Sequence, residues 1–274
     1  MKKSQLVHNE IDVFYTQTSE EERLQLGLGP LEFERNKDLI GRFIPNPQAV
    51  IVDVGGGPGI YSEWLAGLGH KVHLVDPVEK HIKQAQKRAA KRKSTFSCYL
   101  GEARKLEFKD DFADLVILHG PLYHLQARED RIKAIAEAHR VLKKGGIMLG
   151  FAINSAATTV AGLLNGIIHE PGFLEMCKTE LSTGVHNPPP NWPGLLVQGF
   201  YHKPAELLNE VEETGLKYID TFAVEGMIWL DRNYYENRHN PERKQGMMDL
   251  LQLTEKEKSL LSFSPHMMIA AQKA

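Results

Sequence analysis

The length, composition and charge of the chain exclude several classes of protein. Its 274 residues fit one large domain, and 42% hydrophobic and 25% charged residues are ordinary for a folded protein. The formal net charge of −2 gives no overall basic field that would hold nucleic acid. No apolar run approaches the roughly 20 residues of a membrane helix, and no signal-peptide core follows the N-terminal MKK. The two cysteines lie in no metal-like spacing, so we expect a cytoplasmic protein.

Strand-like and helix-like segments alternate along the middle of the chain. Continuous apolar and β-branched runs predict strands over 49–54, 71–77, 95–101, 112–120 and 147–153. Helical patterns lie between them, over 61–69, 79–93 and 129–146, the last closed by two glycines. Such alternation is typical of an α/β fold with a doubly wound parallel sheet.

The remaining segments are assigned around this core of residues 46–153. Residues 1–45 are predicted to form a helical lid outside the sheet, and residues 154–202 a cap inserted after the fifth strand. Residues 203–274 return to the sheet, with a helix over 203–216, strands over 217–226 and 266–274, and a helical insertion over 229–264. We therefore expect a single domain over 1–274.

Four glycines in five positions follow the strand that ends at Asp53. Gly55, Gly56, Gly57 and Gly59 allow positive φ angles and close approach of a ligand, and the following helix offers free N–H groups. A dinucleotide fingerprint needs a glycine at position 60, where the chain has isoleucine. The loop thus favours a nucleotide cofactor of another kind, and a purely structural turn is the alternative.

The spacing acid-x-G-x-G-x-G resembles motif I of class I S-adenosylmethionine-dependent methyltransferases. The acid at the end of the second strand, the sequence Gly101-Glu102-Ala103 and the element RVLKKGG (140–146) continue the likeness, with lysine at 144 where the family usually has proline. The resemblance implies a seven-stranded, mostly parallel sheet of order 3-2-1-4-5-7-6. It also implies S-adenosylmethionine as cofactor and S-adenosylhomocysteine as product.

The resemblance also implies where the cofactor touches the chain. Asp53 and the four loop glycines would orient the methionine part, and Asp76, followed by Pro77, would accept hydrogen bonds from the ribose diol. Glu102 and Ala103 would face the adenine. His119 and Gly120 follow the fourth strand, at the crevice where α/β proteins bind ligands.

Five further stretches are similar to a type 11/12 subgroup of small-molecule methyltransferases: FY (14–15), EERL (21–24), LEFER (31–35), GPLYHL (120–125) and GFYHKPAEL (199–207). This resemblance implies that the N-terminal segment covers the cofactor. Tyr15 and Arg35 are then candidates for contact with the methionine end. It also implies a small molecule as methyl acceptor.

Methyl transfer is an in-line displacement, in which the protein mainly positions and desolvates the reactants. A base is needed only for a protonated nucleophile, and His119, Tyr123 and His124 are the candidates. We expect the acceptor to be contacted by a set of polar and aromatic side chains, namely His124, His186, Trp192, Tyr201 and His202. The 12 histidines show no HxxxH or HExxH pattern, so no metal site is predicted.

Three other functions remain as alternatives. The first is a cofactor-binding sensor or partner protein without catalysis. The second is a nucleic-acid methyltransferase, although Asn187-Pro188-Pro189 resembles the N-P-P-[YF] element at the wrong place in the chain. The basic stretch 80–93 is interpreted as a solvated helix face rather than a nucleic-acid surface. The third is an NAD-dependent oxidoreductase, which the isoleucine at position 60 opposes.

Overall fold

The computed structural model describes residues 11, 13–15, 20–45, 47–91, 96–189 and 196–274. Seven strands form one sheet: β1 (Val50–Val54), β2 (Lys71–Asp76), β3 (Ser97–Leu100), β4 (Ala113–Leu118), β5 (Leu142–Ile153), β6 (Lys217–Ala223) and β7 (His266–Gln272). Their spatial order is β3-β2-β1-β4-β5-β7-β6. The first five strands are parallel, whereas β7 is antiparallel to both of its neighbours. The predicted fold class and strand order are confirmed.

Apolar side chains alternate between the two faces of the sheet and build two cores. Ile51 points to one face, against helices Gly29–Gly41, Ile60–Gly67 and Glu79–Ala89. Val52 points to the other face, against helices Arg128–Val141 and Pro204–Glu213. Because both faces are covered by helices, the strands read as continuous apolar runs rather than alternating ones.

The helix predicted over 129–146 is wrong at its end. It stops at Val141, and residues 142–146 already belong to β5. The reason is the neighbouring strand: the Gly145 N–H donates to the carbonyl of Lys273, and the Lys273 N–H donates to that of Gly146. The two glycines, expected to cap a helix, pair instead with the residues that follow β7.

The other helices lie in four groups. Near the N-terminus, the helix Glu20–Arg23 precedes the helix Gly29–Gly41. In the middle of the chain, the short helix Pro121–His124 follows β4. After β5 come Ala157–Leu164, Phe173–Thr183 and a small antiparallel pair of strands, Val185–His186 with Gly199–Phe200. Between β6 and β7 lie Tyr234–Asn237 and Pro241–Thr254, with 3-10 turns at Ile228–Leu230 and Leu261–Phe263. Among the described residues, no helix combines the length and apolarity needed to cross a bilayer.

Candidate active site

A cavity of about 720 Å³ opens at the edge of the sheet where the parallel strands end. The ends of β1, β2 and β4 contribute Val54, Asp76 and His119, and Gly101 follows β3. The topological switch lies here, since β1 has β2 on one side and β4 on the other. The cavity volume falls in the range of about 300–1,000 Å³ that small-molecule sites occupy.

The glycine loop forms one wall of the cavity and is tightly packed behind it. Gly55, Gly56 and Gly57 line the cavity, whereas Gly59 does not. Gly55 has φ +78°, and a β-carbon there would lie 2.4 Å from the His119 carbonyl oxygen. Two loops therefore meet at this residue, and only glycine permits the contact.

Asp53 lies beneath the loop and is not part of the cavity wall. The Ser62 hydroxyl donates to its Oδ2 at 2.6 Å, and Oδ1 has no hydrogen-bond partner in the described structure. Burial raises the pKa of this carboxyl to about 6. The carboxyl is not among the residues that line the cavity, and the role of Asp53 in orienting the methionine part stays a prediction.

Asp76 lines the cavity at the end of β2 and is 4% exposed. Its Oδ2 accepts a hydrogen bond from the Gly57 N–H, and its Oδ1 accepts one from the Val78 N–H, both at 2.9 Å. The His81 Nδ1 is 3.1 Å from the same Oδ1. Pro77, next in the chain, also faces the cavity. Asp76 thus joins the glycine loop to the helix after β2.

The end of the cavity beside β3 carries a compact set of charges. Glu102 Oε2 accepts hydrogen bonds from the Arg104 backbone N–H and from Arg104 Nε. The Arg104 guanidinium also donates to Asp130 at 2.8 Å. Ala103 lies between these groups and lines the cavity. Glu102 and Ala103, both predicted, therefore line the cavity together with Arg104, which was not predicted from the sequence.

At the end of β4, His119 is half-buried between two aromatic rings. Its imidazole stacks on Phe151 at a centroid distance of 4.3 Å and lies 4.9 Å from Tyr61. Burial lowers the pKa of His119 to about 4, so the ring is neutral at neutral pH. Gly120, Tyr123 and His124 continue the wall.

The N-terminal segment closes part of the cavity. The Tyr15 hydroxyl lies 2.7 Å from His124 Nε2, and the Lys80 ammonium donates to the Tyr15 carbonyl oxygen. Burial lowers the pKa of His124 to about 4. Tyr15 also packs edge-on against His81. Tyr15 thus lines the cavity, and its contact with the methionine end of the cofactor stays a prediction.

Arg35 lies away from the cavity. Its fully buried guanidinium donates to the Val224 carbonyl oxygen, to Asp38 and to Glu255. It therefore joins the N-terminal helix to the C-terminal part of the chain. Arg23 lines the cavity instead, and its guanidinium forms a two-point ion pair with Glu32.

The cap residues expected to contact the acceptor also lie elsewhere. His186, Tyr201 and His202 are at most 4% exposed and are not part of the cavity wall. His186 bonds to Glu180 and His202 to Glu210, so each imidazole is held by a buried carboxylate close to it in the chain. Trp192 lies outside the described residues.

Asn187 tests the resemblance to the base-methylating N-P-P element. Its side chain accepts a hydrogen bond from Gln126 Nε2, which also donates to the carbonyls of His186 and Gly199. Gln126 lines the cavity, whereas Asn187 lies behind it. Asn187-Pro188-Pro189 therefore belongs to a loop of the cap, and hydrogen bonds from Gln126 connect this loop to the segment after β4.

Comparison with known proteins identifies the fold and its cofactor. Residues 52–150 match the family described as "Methyltransferase domain". This region holds the glycine loop, Asp76, Glu102 and His119. It is a class I methyltransferase domain. S-adenosylmethionine is the cofactor of this family.

Two curated relatives and one solved structure illustrate the relationship. A ubiquinone biosynthesis O-methyltransferase of Methylobacterium nodulans is 29% identical over 67% of this chain and 66% of its own length. A ubiquinone/menaquinone biosynthesis C-methyltransferase of Acidiphilium cryptum is 29% identical over 40% and 44%, respectively. The chain thus spans less than two thirds of either relative. The PH0226 protein of Pyrococcus horikoshii shares the fold, with a TM-score of 0.63 at 16% identity over 96% of this chain and 99% of that one.

A buried polar cluster beside the methyltransferase cavity was missed by sequence reasoning. Ligand atoms of Glu32, Glu225 and His266 lie within 4.8 Å of one another, a grouping that can hold a metal ion. Hydrogen bonds already occupy it: His266 Nδ1 is 2.6 Å from Glu225, the Ser264 hydroxyl donates to Glu225, and Arg23 holds Glu32. The three residues are far apart in the chain, so no spacing signal could have predicted them.

The charges of this cluster balance one another. Burial alone would raise the pKa of Glu32, but the attraction of Arg23 and His266 lowers it to about 2. Burial alone would lower the pKa of His266, but the carboxylates of Glu225 and Glu32 raise it to about 9. A protonated imidazole between two carboxylates is therefore the form present at neutral pH.

Proposed function

We propose that the chain transfers a methyl group from S-adenosylmethionine to a small molecule by in-line displacement. The observation that carries the proposal is the single cavity joining the glycine loop, Asp76 and Glu102 to a wall of tyrosines and histidines. The first three features suit the cofactor. The wall of tyrosine and histidine side chains is the place for an acceptor.

The cofactor's chemistry fits the groups that face the cavity. The bound cofactor supplies an activated methyl group on a sulfonium. Asp76 offers a carboxylate oxygen to a ribose hydroxyl, and Glu102, whose Oε2 accepts both hydrogen bonds from Arg104, can turn its Oε1 to the adenine amino group. The loop backbone at Gly55 to Gly57 approaches the methionine part, and the guanidinium of Arg23 lies on the same cavity wall. These contacts orient the donor and keep water away from it.

We further propose a hydroxyl oxygen as the acceptor atom. His119 is neutral at pH 7 and faces the cavity, so its lone pair can take the hydroxyl proton as the methyl group is transferred. Tyr61 and Phe151 fix the imidazole plane on either side. The name of the Methylobacterium relative, an O-methyltransferase, is consistent with this choice.

Binding and turnover test the proposal separately. Isothermal titration should show S-adenosylhomocysteine binding and no binding of NAD. Incubation with methyl-labelled S-adenosylmethionine and a fractionated metabolite extract should then yield a labelled small molecule. Binding of NAD alone would refute the methyltransferase function. Cofactor binding with no labelled product in any fraction would instead favour a non-catalytic sensor.

The role of His119 has its own test once an acceptor is found. His119→Phe preserves the stacking ring but removes the proton acceptor, so kcat should fall by about 100-fold with little change in cofactor affinity. His139, which does not line the cavity, provides a control as His139→Phe. An unchanged kcat in the His119 variant would exclude it as the base.

A further inference from the structure

The cavity contains a histidine that neither the motifs nor the family match singles out. His81 lies in the first turn of helix Glu79–Ala89, is 3% exposed, and lines the cavity beside Asp76. Its Nδ1 lies 3.1 Å from Asp76 Oδ1, whereas its Nε2 is buried and has no hydrogen-bond partner in the described structure. A buried polar atom without a partner is unusual in a folded protein and calls for a ligand.

The hydrogen bond to Asp76 fixes which nitrogen carries the proton. A carboxylate only accepts hydrogen bonds, so Nδ1 must be the donor in this pair. In the neutral imidazole, Nε2 is then an acceptor. Its nearest aromatic neighbour, Tyr15, places its hydroxyl on His124 and not on His81. With a neutral ring, the unsatisfied atom is therefore a buried hydrogen-bond acceptor on a residue that lines the cavity.

Asp76 has too few acceptor positions left to bind a diol by itself. A carboxylate offers about four lone-pair positions. Val78 N–H and His81 Nδ1–H use the two on Oδ1, and Gly57 N–H uses one on Oδ2. One position remains, whereas the two hydroxyls of a ribose bring two donors. A second acceptor is needed next to Asp76.

We infer that His81 Nε2 accepts a hydrogen bond from one ribose hydroxyl of the cofactor, while Asp76 Oδ2 accepts one from the other. The inference rests on the proposed function, because it requires the cofactor to bind in this cavity. Asp76 and His81 together form the diol site, and the Asp76–His81 hydrogen bond orients the imidazole for it. A cofactor analogue lacking one hydroxyl loses the bond to His81, and an analogue lacking the other loses the bond to Asp76.

Two substitutions distinguish the role of Nδ1 of His81 from the role of its Nε2. In His81→Asn the side-chain amide takes the place of Nδ1 and can still donate to Asp76, but nothing replaces Nε2. In His81→Gln the side-chain amide reaches the position of Nε2, and its oxygen can accept a hydrogen bond from the ribose hydroxyl. We expect the affinity for S-adenosylhomocysteine to fall about tenfold in the Asn variant and to recover in the Gln variant.

Titrations with 2′-deoxy and 3′-deoxy S-adenosylhomocysteine distinguish this role from a structural one. The wild type should lose about tenfold in affinity for each missing hydroxyl. His81→Asn should be indifferent to one of the two hydroxyls and keep its preference for the other. If the Asn variant binds as tightly as the wild type, or discriminates both hydroxyls as the wild type does, the inference is wrong.

Nuclear magnetic resonance of the wild-type protein keeps the inference testable if the Asn variant fails to fold. With ¹⁵N-labelled histidine, the Nε2 resonance of His81 should report an unprotonated nitrogen and shift when S-adenosylhomocysteine binds. The analogue lacking the hydroxyl that contacts His81 should bind without that shift. An Nε2 resonance that responds equally to both deoxy analogues would refute the contact. A wild-type protein that binds no S-adenosylhomocysteine would overturn the proposed function itself.

Discussion

The substitution Asp76→Asn tests the geometry of the cavity more sharply than a change to alanine. Every group bonded to the Asp76 carboxylate is a donor: the N–H groups of Gly57 and Val78, and Nδ1 of His81. In asparagine an NH₂ group would replace one of the two oxygens, so an N–H group of the amide would face an N–H group that donates to Asp76 in the wild type. The exchange of one oxygen for nitrogen is therefore disruptive in either orientation of the amide.

The expected loss follows from the bonds involved. A hydrogen bond to a charged group contributes about 1.5–3 kcal/mol, so losing the bond between the ribose and the carboxylate should weaken S-adenosylhomocysteine binding by about 10- to 100-fold. Isothermal titration measures this directly, with Asp249→Asn, an exposed site outside the cavity, as the control. Circular dichroism establishes that the variant is folded. Affinity within about twofold of the wild type would contradict the placement of the ribose at Asp76.

Three further changes test other parts of the structure. Gly59→Ala places a methyl group 2.9 Å from an aromatic ring at φ +85° and should cost at least about 1 kcal/mol of unfolding free energy in urea, whereas Gly67→Ala, which meets no atom within 4 Å, should not destabilise. His266 has a pKa of about 9 in the fold against about 6.5 when unfolded, so its stabilising charge is present below pH 6.5 and lost as the pH rises through 9. The wild type should therefore lose more stability than His266→Gln over that interval, and parallel curves would contradict this. Tyr15→Phe removes the hydrogen bond to His124 and should speed dissociation of S-adenosylhomocysteine in stopped-flow measurements, whereas an unchanged rate would mean that Tyr15 does not retain the ligand.

The fold could be predicted from the sequence because its signals are local and repeated. A strand buried on both faces is a short apolar run, and helical patterns follow the runs at 49–54, 71–77 and 112–120. The glycine loop after Asp53 and the acid at Asp76 are also local, since each occupies one strand end. Their meeting in one cavity follows from the parallel sheet, in which strand ends lie at the same edge.

The errors concern side chains whose partners lie far away in the chain. Arg35 is in a stretch that resembles the lid of the subgroup, but Glu255, 220 residues later, binds its guanidinium. A buried guanidinium must be paired. One of its two carboxylate partners, Asp38, is close in the sequence, but tertiary packing brings the other, Glu255, to it. Arg23, only 12 residues earlier, faces the cavity instead.

The histidines of the cap show a different limit, because their partners are only six and eight residues away in the chain. His186 and His202 are predicted at the acceptor because they lie in the segment 154–202, the predicted cap. Each instead satisfies a buried glutamate, Glu180 or Glu210. A histidine that bonds a buried carboxylate has the same letter in the sequence as one that faces a ligand. The position of His81 could have been predicted from the sequence. It lies five residues after Asp76, in the first turn of the helix that follows β2, and therefore close to the end of that strand.

The neutral histidines of the cavity have a consequence for the charge of the ligand. S-adenosylmethionine carries a positive sulfonium, whereas S-adenosylhomocysteine has a neutral sulfur at that position. Burial holds the pKa values of His119 and His124 near 4, so neither ring is charged above about pH 5 and neither repels the sulfonium. The ratio of the two affinities should therefore stay constant from pH 8 down to about pH 5.5. If these imidazoles instead titrated near their ordinary value, protonation would weaken S-adenosylmethionine binding selectively around pH 6.5. Parallel titrations of both ligands with the Asp53→Asn variant, which lacks the carboxyl of pKa about 6, distinguish the two cases. A ratio that falls near pH 6.5 in that variant would show that these histidines are charged.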